Sequence, residues 1–130
     1  MKKIGQYLSL NNSETTIKSI LKKNEKNEVV TILDLEDSLV NTSDNALTIK
    51  NRIRGRKLLF NLLKDSDYNN YKYVGIRINS VSSPDYQKDI NVLQTLKNIN
   101  WELILLPMVK CGDINKFFED LPFFPPQKLR

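Results

Sequence analysis

Four apolar runs, each followed by a segment with helical spacing, limit what this 130-residue chain can fold into. The runs are Ile4 to Leu10, Val29 to Leu35, Tyr73 to Asn79 and Trp101 to Met108, all of strand length and rich in branched aliphatic residues. After the first, Asn11, Asn12 and Ser13 supply turn and N-cap residues for a helix whose apolar face is Ile17, Ile20 and Leu21, and the polar stretch Lys22 to Glu28 ends it. After the second, the turn residues Asn41 to Asp44 lead into a long helix that uses Ala46, Ile49, Ile53, Phe60 and Leu63 as one broad face. Gly55 weakens that helix by up to ~1 kcal/mol relative to alanine. Asp65 to Asn70 reads as a turn-rich break. Ser83 as N-cap, Pro84 at the first helical position and Asp85 in the first turn then open a third helix carrying Tyr86, Ile90, Leu93 and Leu96. Asp113 to Leu121 forms a short last helix, and the tail PFFPPQKLR cannot continue it. The division that follows is one α/β domain over residues 1–121 and a Pro/Phe-rich tail over 122–130.

Strands that are apolar on both faces and alternate with helices imply a parallel sheet covered by those helices. Two architectures have this order: a small doubly wound sheet and part of a (β/α)8 barrel. Both gather functional side chains at the carboxyl ends of the strands. The composition narrows the chemistry available there. With no histidine and a single cysteine, Cys111, the chain has no Ser-His or Cys-His nucleophile, no intrachain disulfide and no cysteine metal cluster. Carboxylates, lysine, arginine and hard cations remain. No stretch approaches the ~18 apolar residues of a membrane span, and the N-terminal residues lack the pattern of a signal peptide, so a cytoplasmic location is expected.

Alternation along the second strand places Val30, Ile32, Asp34 and Glu36 on one face, and along the third it places Gly75, Arg77 and Asn79 together. In each strand one face is aliphatic while the other turns polar towards its carboxyl end. If the two strands are neighbours, Arg77 reaches Asp34 or Glu36, and one reading is a partly buried ion pair that fixes register. Asp34, Glu36 and Asp37 outnumber the single guanidinium, and crowded carboxylates either raise one another's pKa or bind a cation. The basic segment Lys50, Arg52, Arg54, Arg56 and Lys57 reads as a solvated helix face, and nucleic-acid binding ranks well below a small-molecule site. Phe117, Phe118, Phe123 and Phe124 mark either core or a partner surface.

The ordered segments "TILDLEDSL", "VGIRINS" and "LILLPMVKCGDI" resemble the citrate lyase beta-subunit and HpcH/HpaI aldolase family. The resemblance implies a TIM barrel that makes or breaks carbon–carbon bonds, often in 3-hydroxyacyl-CoA thioesters, with Mg2+ polarising the oxygens of a keto-acid product. By position it implies that Arg77 holds substrate carboxylate and enolate oxygens, that Glu36 and Asp37 lie beside the metal and its waters, and that Asp34 and Asn79 support them. Met108 and Lys110 stand where the family carries a lysine and a glutamate. The four βα units correspond to the N-terminal half of a barrel, and the direct metal ligands of the family, on its fifth and sixth strands, have no counterpart before Arg130. This chain is therefore expected to hold no complete metal site. A half-barrel exposes two sheet edges and an inner face, so the expected partners are a second copy or a chain carrying the other half, besides an acyl-CoA or keto acid. The alternative expectation is a non-catalytic assembly module derived from the lyase barrel.

Overall fold

In the computed structural model, which describes residues 4–64 and 72–130, the apolar runs form β1 (Ile4–Ser9), β2 (Val29–Asp34), β3 (Val74–Arg77) and β4 (Leu103–Leu105). The break expected from Asp65 to Asn70 lies outside the described residues. Four helices alternate with the strands: α1 (Glu14–Lys26), α2 (Asn45–Leu63), α3 (Tyr86–Thr95) and α4 (Asp113–Asp120). All three strand pairings are parallel and the order is β1-β2-β3-β4. A doubly wound sheet needs a reversal of strand order, whereas winding always to the next neighbour is how a barrel grows. The sheet is thus the half-barrel arrangement. Among the described residues no helix is long and apolar enough to cross a membrane.

One face of the sheet packs on the helices through Leu8 and Leu10, Leu33 and Leu35, Ile76 and Ile78, and Ile104 and Leu106, which meet Ile17, Leu21, Leu59, Leu62, Ile90, Leu93 and Phe117. Ser13 caps α1 through its hydroxyl oxygen, which accepts from Thr16 N–H at 3.1 Å. That helix ends at Lys26, inside the polar stretch expected to end it, and its last turn is tied to the sheet by Asn24, which turns inward and donates to Gln6 on β1 and Thr31 on β2, both at 2.9 Å. Ser83 is not the N-cap expected of it: α3 starts at Tyr86 with Asp85 at the N-cap position, and the Ser83 hydroxyl accepts from Asp85 N–H at 3.1 Å in the turn before the helix. Phe117 and Phe124 are core residues, Phe118 is half-buried and Phe123 is exposed.

Of the face expected for α2 only Leu63 is buried. Ala46, Ile49, Ile53 and Phe60 are exposed, and with Leu63 the helix buries Thr48, Gly55, Arg56, Leu59 and Leu62. Gly55 sets this rotation, since a Cβ there would come within 3.0 Å of Leu39 Cδ1 and 3.4 Å of Leu35 Cδ2. The basic segment is not a uniformly solvated face either. Lys50, Arg54 and Lys57 are exposed, but Arg56 is buried and Arg52 nearly so, both paired with acids at the start of α3.

The two sheet edges differ. Ile4, Gly5, Gln6 and Tyr7 are exposed along β1, whereas beyond β4 the chain returns and Leu129 forms a parallel bridge with Ile104. Arg130 N–H donates to Ile104 C=O and Arg130 C=O accepts from Leu106 N–H, each at 2.9 Å. Residues 129–130 therefore occupy the position of a fifth strand, so the edge expected to be open at β4 is partly paired. The inner face is also less exposed than a half-barrel leads one to expect. Val30 and Ile32 are buried, and Leu103 lies across Gly75, where any Cβ would meet Leu103 Cδ1 at 3.0 Å and its carbonyl at 3.2 Å.

Candidate functional site

The parallel register sets Asp34, the last residue of β2, directly opposite Arg77, the last residue of β3. Both side chains project to the inner face at the carboxyl end of the sheet. Arg77 grips Asp34 with two parallel bonds, Nε–H to Oδ1 at 2.9 Å and Nη2–H to Oδ2 at 2.8 Å. Beyond Asp34 the chain tightens into a short 3-10 turn, Asp37–Leu39. This turn curls two further donors onto the same carboxylate, Glu36 N–H at 2.9 Å and Ser38 N–H at 3.0 Å. Burial alone would raise the Asp34 carboxyl, but the hydrogen bonds from Arg77 and from these N–H groups outweigh it and hold Asp34 below the ordinary aspartate range.

Glu36 and Asp37 complete the rim without completing its bonds. Glu36 Oε1 lies 3.5 Å from Arg77 Nε, an electrostatic contact rather than a hydrogen bond, and Asp37 Oδ2 is 3.9 Å from Nη1. Burial, and then the charge of Asp37, push the Glu36 carboxyl above the ordinary glutamate range. Arg77 is pushed the other way on the charge scale: its bonds to Asp34 hold the guanidinium more firmly protonated than usual. Its side chain keeps 20% of its surface exposed. With Nε and one Nη2 proton engaged, the Nη1 protons and the second Nη2 proton form a fork that no hydrogen bond fills among the described residues.

The structure thus brings together Arg77, Asp34, Glu36 and Asp37. It does not bring Asn79 to them. The alternation that placed Asn79 beside Arg77 stops where β3 stops, at Arg77. Past that point Asn79 turns away, its Nδ2 donating to Leu35 C=O at 3.1 Å and to Asp89 Oδ2 at 2.8 Å, while its N–H donates to the same oxygen at 2.8 Å. A residue that the strand pattern did not single out takes its place. The Tyr7 ring on β1 lies under the guanidinium, with Arg77 Cζ 4.5 Å from the ring centroid. The signal was its inner-face position two residues before Ser9, which pairs with Asp34, and it becomes visible only once β1 is known to neighbour β2.

These residues do not form a magnesium site. Asp34 already accepts four hydrogen bonds, which leaves no lone pair for a metal. Among the described residues no group of three or more Asp, Glu, His or Cys is placed to hold a metal ion.

No family profile and no curated protein matches the amino-acid sequence. Solved structures do match the fold. CitE from Mycobacterium tuberculosis in complex with magnesium, acetoacetate and coenzyme A is 19% identical, with a TM-score of 0.58 over 92% of this chain and 37% of that one. The citrate lyase beta subunit from M. tuberculosis complexed with oxaloacetate and magnesium gives 0.57 at 18% identity, over 87% and 42%. The fold is that of part of the citrate lyase beta subunit. RipC from Yersinia pestis matches to a similar extent, with a TM-score of 0.56 at 17% identity over 95% of this chain and 42% of that one. The citrate-lyase-type sheet described here spans about two fifths of the length of these structures.

Proposed function

We propose that this chain is the carboxylate-binding part of a citrate-lyase-type carbon–carbon lyase. In this reading Arg77 receives the carboxylate or enolate oxygens of a keto acid or 3-hydroxyacyl thioester, and Glu36 and Asp37 border a cation whose ligands come from outside these residues. The observation that carries it is the unfilled Nη1/Nη2 fork of Arg77, fixed in plane by Asp34 at the carboxyl end of the sheet. A planar fork that stays charged in a half-buried place suits a carboxylate bound through two bonds. Solved structures of the same fold hold acetoacetate, oxaloacetate, coenzyme A and magnesium, which supports that ligand class here.

Charge bookkeeping explains why such a site needs a cation. Asp34 neutralises Arg77, so Glu36 and Asp37 leave the rim negative at neutral pH, and an anionic substrate meets repulsion as well as the fork. Magnesium, when held by other residues, would supply the positive charge that stabilises an enolate. This chain's own residues orient the substrate oxygens through Arg77, with Glu36, whose carboxyl burial pushes up, 3.5 Å from its Nε.

Titration of acetoacetate into the chain, followed by NMR, tests the reading. Arg77→Ala should weaken binding by about tenfold or more, as expected for losing charge-assisted bonds. Equal affinity in the variant would place the site elsewhere. Lyase turnover is expected only when the remaining barrel strands are supplied, and Arg77→Ala should abolish it.

A second reading, a non-catalytic assembly module, is favoured by the exposed β1 edge, where Ile4 and Tyr7 stand open to solvent. Light scattering separates the two. A monomer at all concentrations removes the module reading, and concentration-dependent association without acetoacetate binding removes the first.

A further inference from the structure

The reading of Arg77 as a carboxylate fork leaves Tyr7 unexplained. Tyr7 is 53% exposed, yet its ring does not lie free over the sheet; Arg77 Cζ sits over it, 4.5 Å from the ring centroid. Two constraints meet on that guanidinium. Asp34 holds it in plane through Nε and Nη2, and the Tyr7 ring packs against it from β1. The donors left to a ligand are those of the Nη1/Nη2 edge, with the ring on one side.

Resting on that reading, we propose that Tyr7 is the specificity-determining residue of this site, making the Arg77 fork select planar carboxylates over tetrahedral oxyanions. A carboxylate has only two oxygens, both of which lie in the guanidinium plane when it binds through two bonds. A phosphate or sulfate seated on the same edge carries one further oxygen above the plane and one below. One of these always points to the Tyr7 side, where the negative face of the aromatic ring repels it. The phenol hydroxyl plays no part in this, since the contact is made by the ring. The selection thus comes from β1, while the charge that attracts the anion comes from β3 and the plane in which it lies comes from β2.

The test is anion selectivity. Acetate and inorganic sulfate are titrated separately into the native chain, Tyr7→Phe, Tyr7→Leu and Arg77→Ala, with the Arg77 side-chain NMR signals as readout in the first three and backbone shifts of Glu36 and Asp37 in all four. The native chain and Tyr7→Phe should favour acetate by the same ratio. In Tyr7→Leu that ratio should fall at least threefold, chiefly because sulfate binds better, a pattern that a general loosening of the site would not produce because it weakens both anions together. An unchanged ratio in Tyr7→Leu, or a fall of equal size in Tyr7→Phe, overturns the proposal while leaving the role of Arg77 standing. Acetate binding that survives Arg77→Ala overturns the fork itself.

Discussion

Arg77 and Arg56 use the same chemistry to opposite ends. Each pairs with aspartates at short range, and each lies at or near the carboxyl end of the sheet. Arg56 Nη1 donates to Asp85 at 3.1 Å and to Asp89 at 3.2 Å, and Arg52 Nη1 reaches the other oxygen of Asp85 at 3.0 Å. Asp89, with no solvent exposure, also takes the N–H and the Nδ2 of Asn79, which in turn holds Leu35 C=O. This chain of bonds ties α2 and α3 to the ends of β2 and β3. The Arg77 cluster, by contrast, stops short: its aspartate is saturated, its two other acids stand at 3.5 and 3.9 Å, and one edge of the guanidinium faces outward. In the first cluster every oxygen of Asp85 and Asp89 is taken, although Arg52 Nε is buried without a partner among the described residues, and such a cluster is a strut; a cluster that leaves a directed donor at the rim can take a ligand. The strut meets the end of β2 at Leu35 C=O, one residue beyond Asp34, next to the rim it supports.

If that contrast holds, breaking the strut has the largest effect on stability. Arg56→Met keeps the aliphatic stem but leaves Asp89 buried without its cation, and a broken buried pair costs about 3–5 kcal/mol. Urea denaturation at neutral pH would measure it. The pH dependence has a definite sign. Burial already raises the Asp89 carboxyl, and loss of Arg56 removes an opposing influence. A carboxyl with a raised folded-state pKa destabilises the fold fully above that pKa and not at all below the unfolded value. The penalty should therefore shrink as pH falls towards the ordinary aspartate value of about 3.9. A penalty that grows on acidification would show that Asp89 is not what the arginine was holding.

Asp34→Asn comes second. It removes the charge between Arg77 and the 3-10 turn and presents an amide NH2 to at least one donor that had been bonded. The cost expected is about 2–3 kcal/mol, less than for Arg56 because Arg77 can turn its exposed part to water. The native carboxyl sits below its ordinary value, so its contribution is present above the unfolded pKa and is lost as pH falls through the folded one. The stability difference between native chain and D34N should therefore narrow in acid. Denaturation curves from neutral to about pH 3 would show this, and a constant difference would mean that Asp34 gains nothing from being charged.

How far the sequence revealed these two clusters differs, and for a physical reason. Asp34 and Arg77 were legible because strand alternation and adjacency are short-range rules, and parallel pairing of β2 with β3 sets the two residues side by side. The strut was not legible. Arg56 meets acids 29 and 33 positions away on another helix, and nothing in a basic segment says which of its members turn inward. The α2 face was misread for a related cause: apolar residues lie on both sides of that helix, so spacing alone could not choose between Ile49 with Ile53 and Leu59 with Leu62. Asn79 was misplaced by carrying a period of two beyond the last residue of β3, where the backbone no longer obeys it.

The smallest effect expected concerns the open cluster alone, and it separates site from strut most finely. Glu36 stands 3.5 Å from Arg77 Nε with a carboxyl raised by burial and by Asp37. While ionised it repels an incoming carboxylate; once protonated it does not. Acetoacetate should accordingly bind more tightly as pH falls through the Glu36 pKa, with the ligand itself still ionised. Glu36→Gln should show the tighter binding already at neutral pH and lose the dependence. At an effective dielectric between that of water and that of a protein surface, one charge a few ångströms from the ligand is worth roughly three- to tenfold in affinity. Stability should change little, since Glu36 makes no hydrogen bond to Arg77 that the amide would break. Binding that weakens on acidification, or a variant whose pH profile matches that of the native chain, would mean that the anion does not sit at the Nη1/Nη2 edge of Arg77 beside these acids. The distinction between an open and a closed arginine cluster would then have to be sought at another place in the sheet.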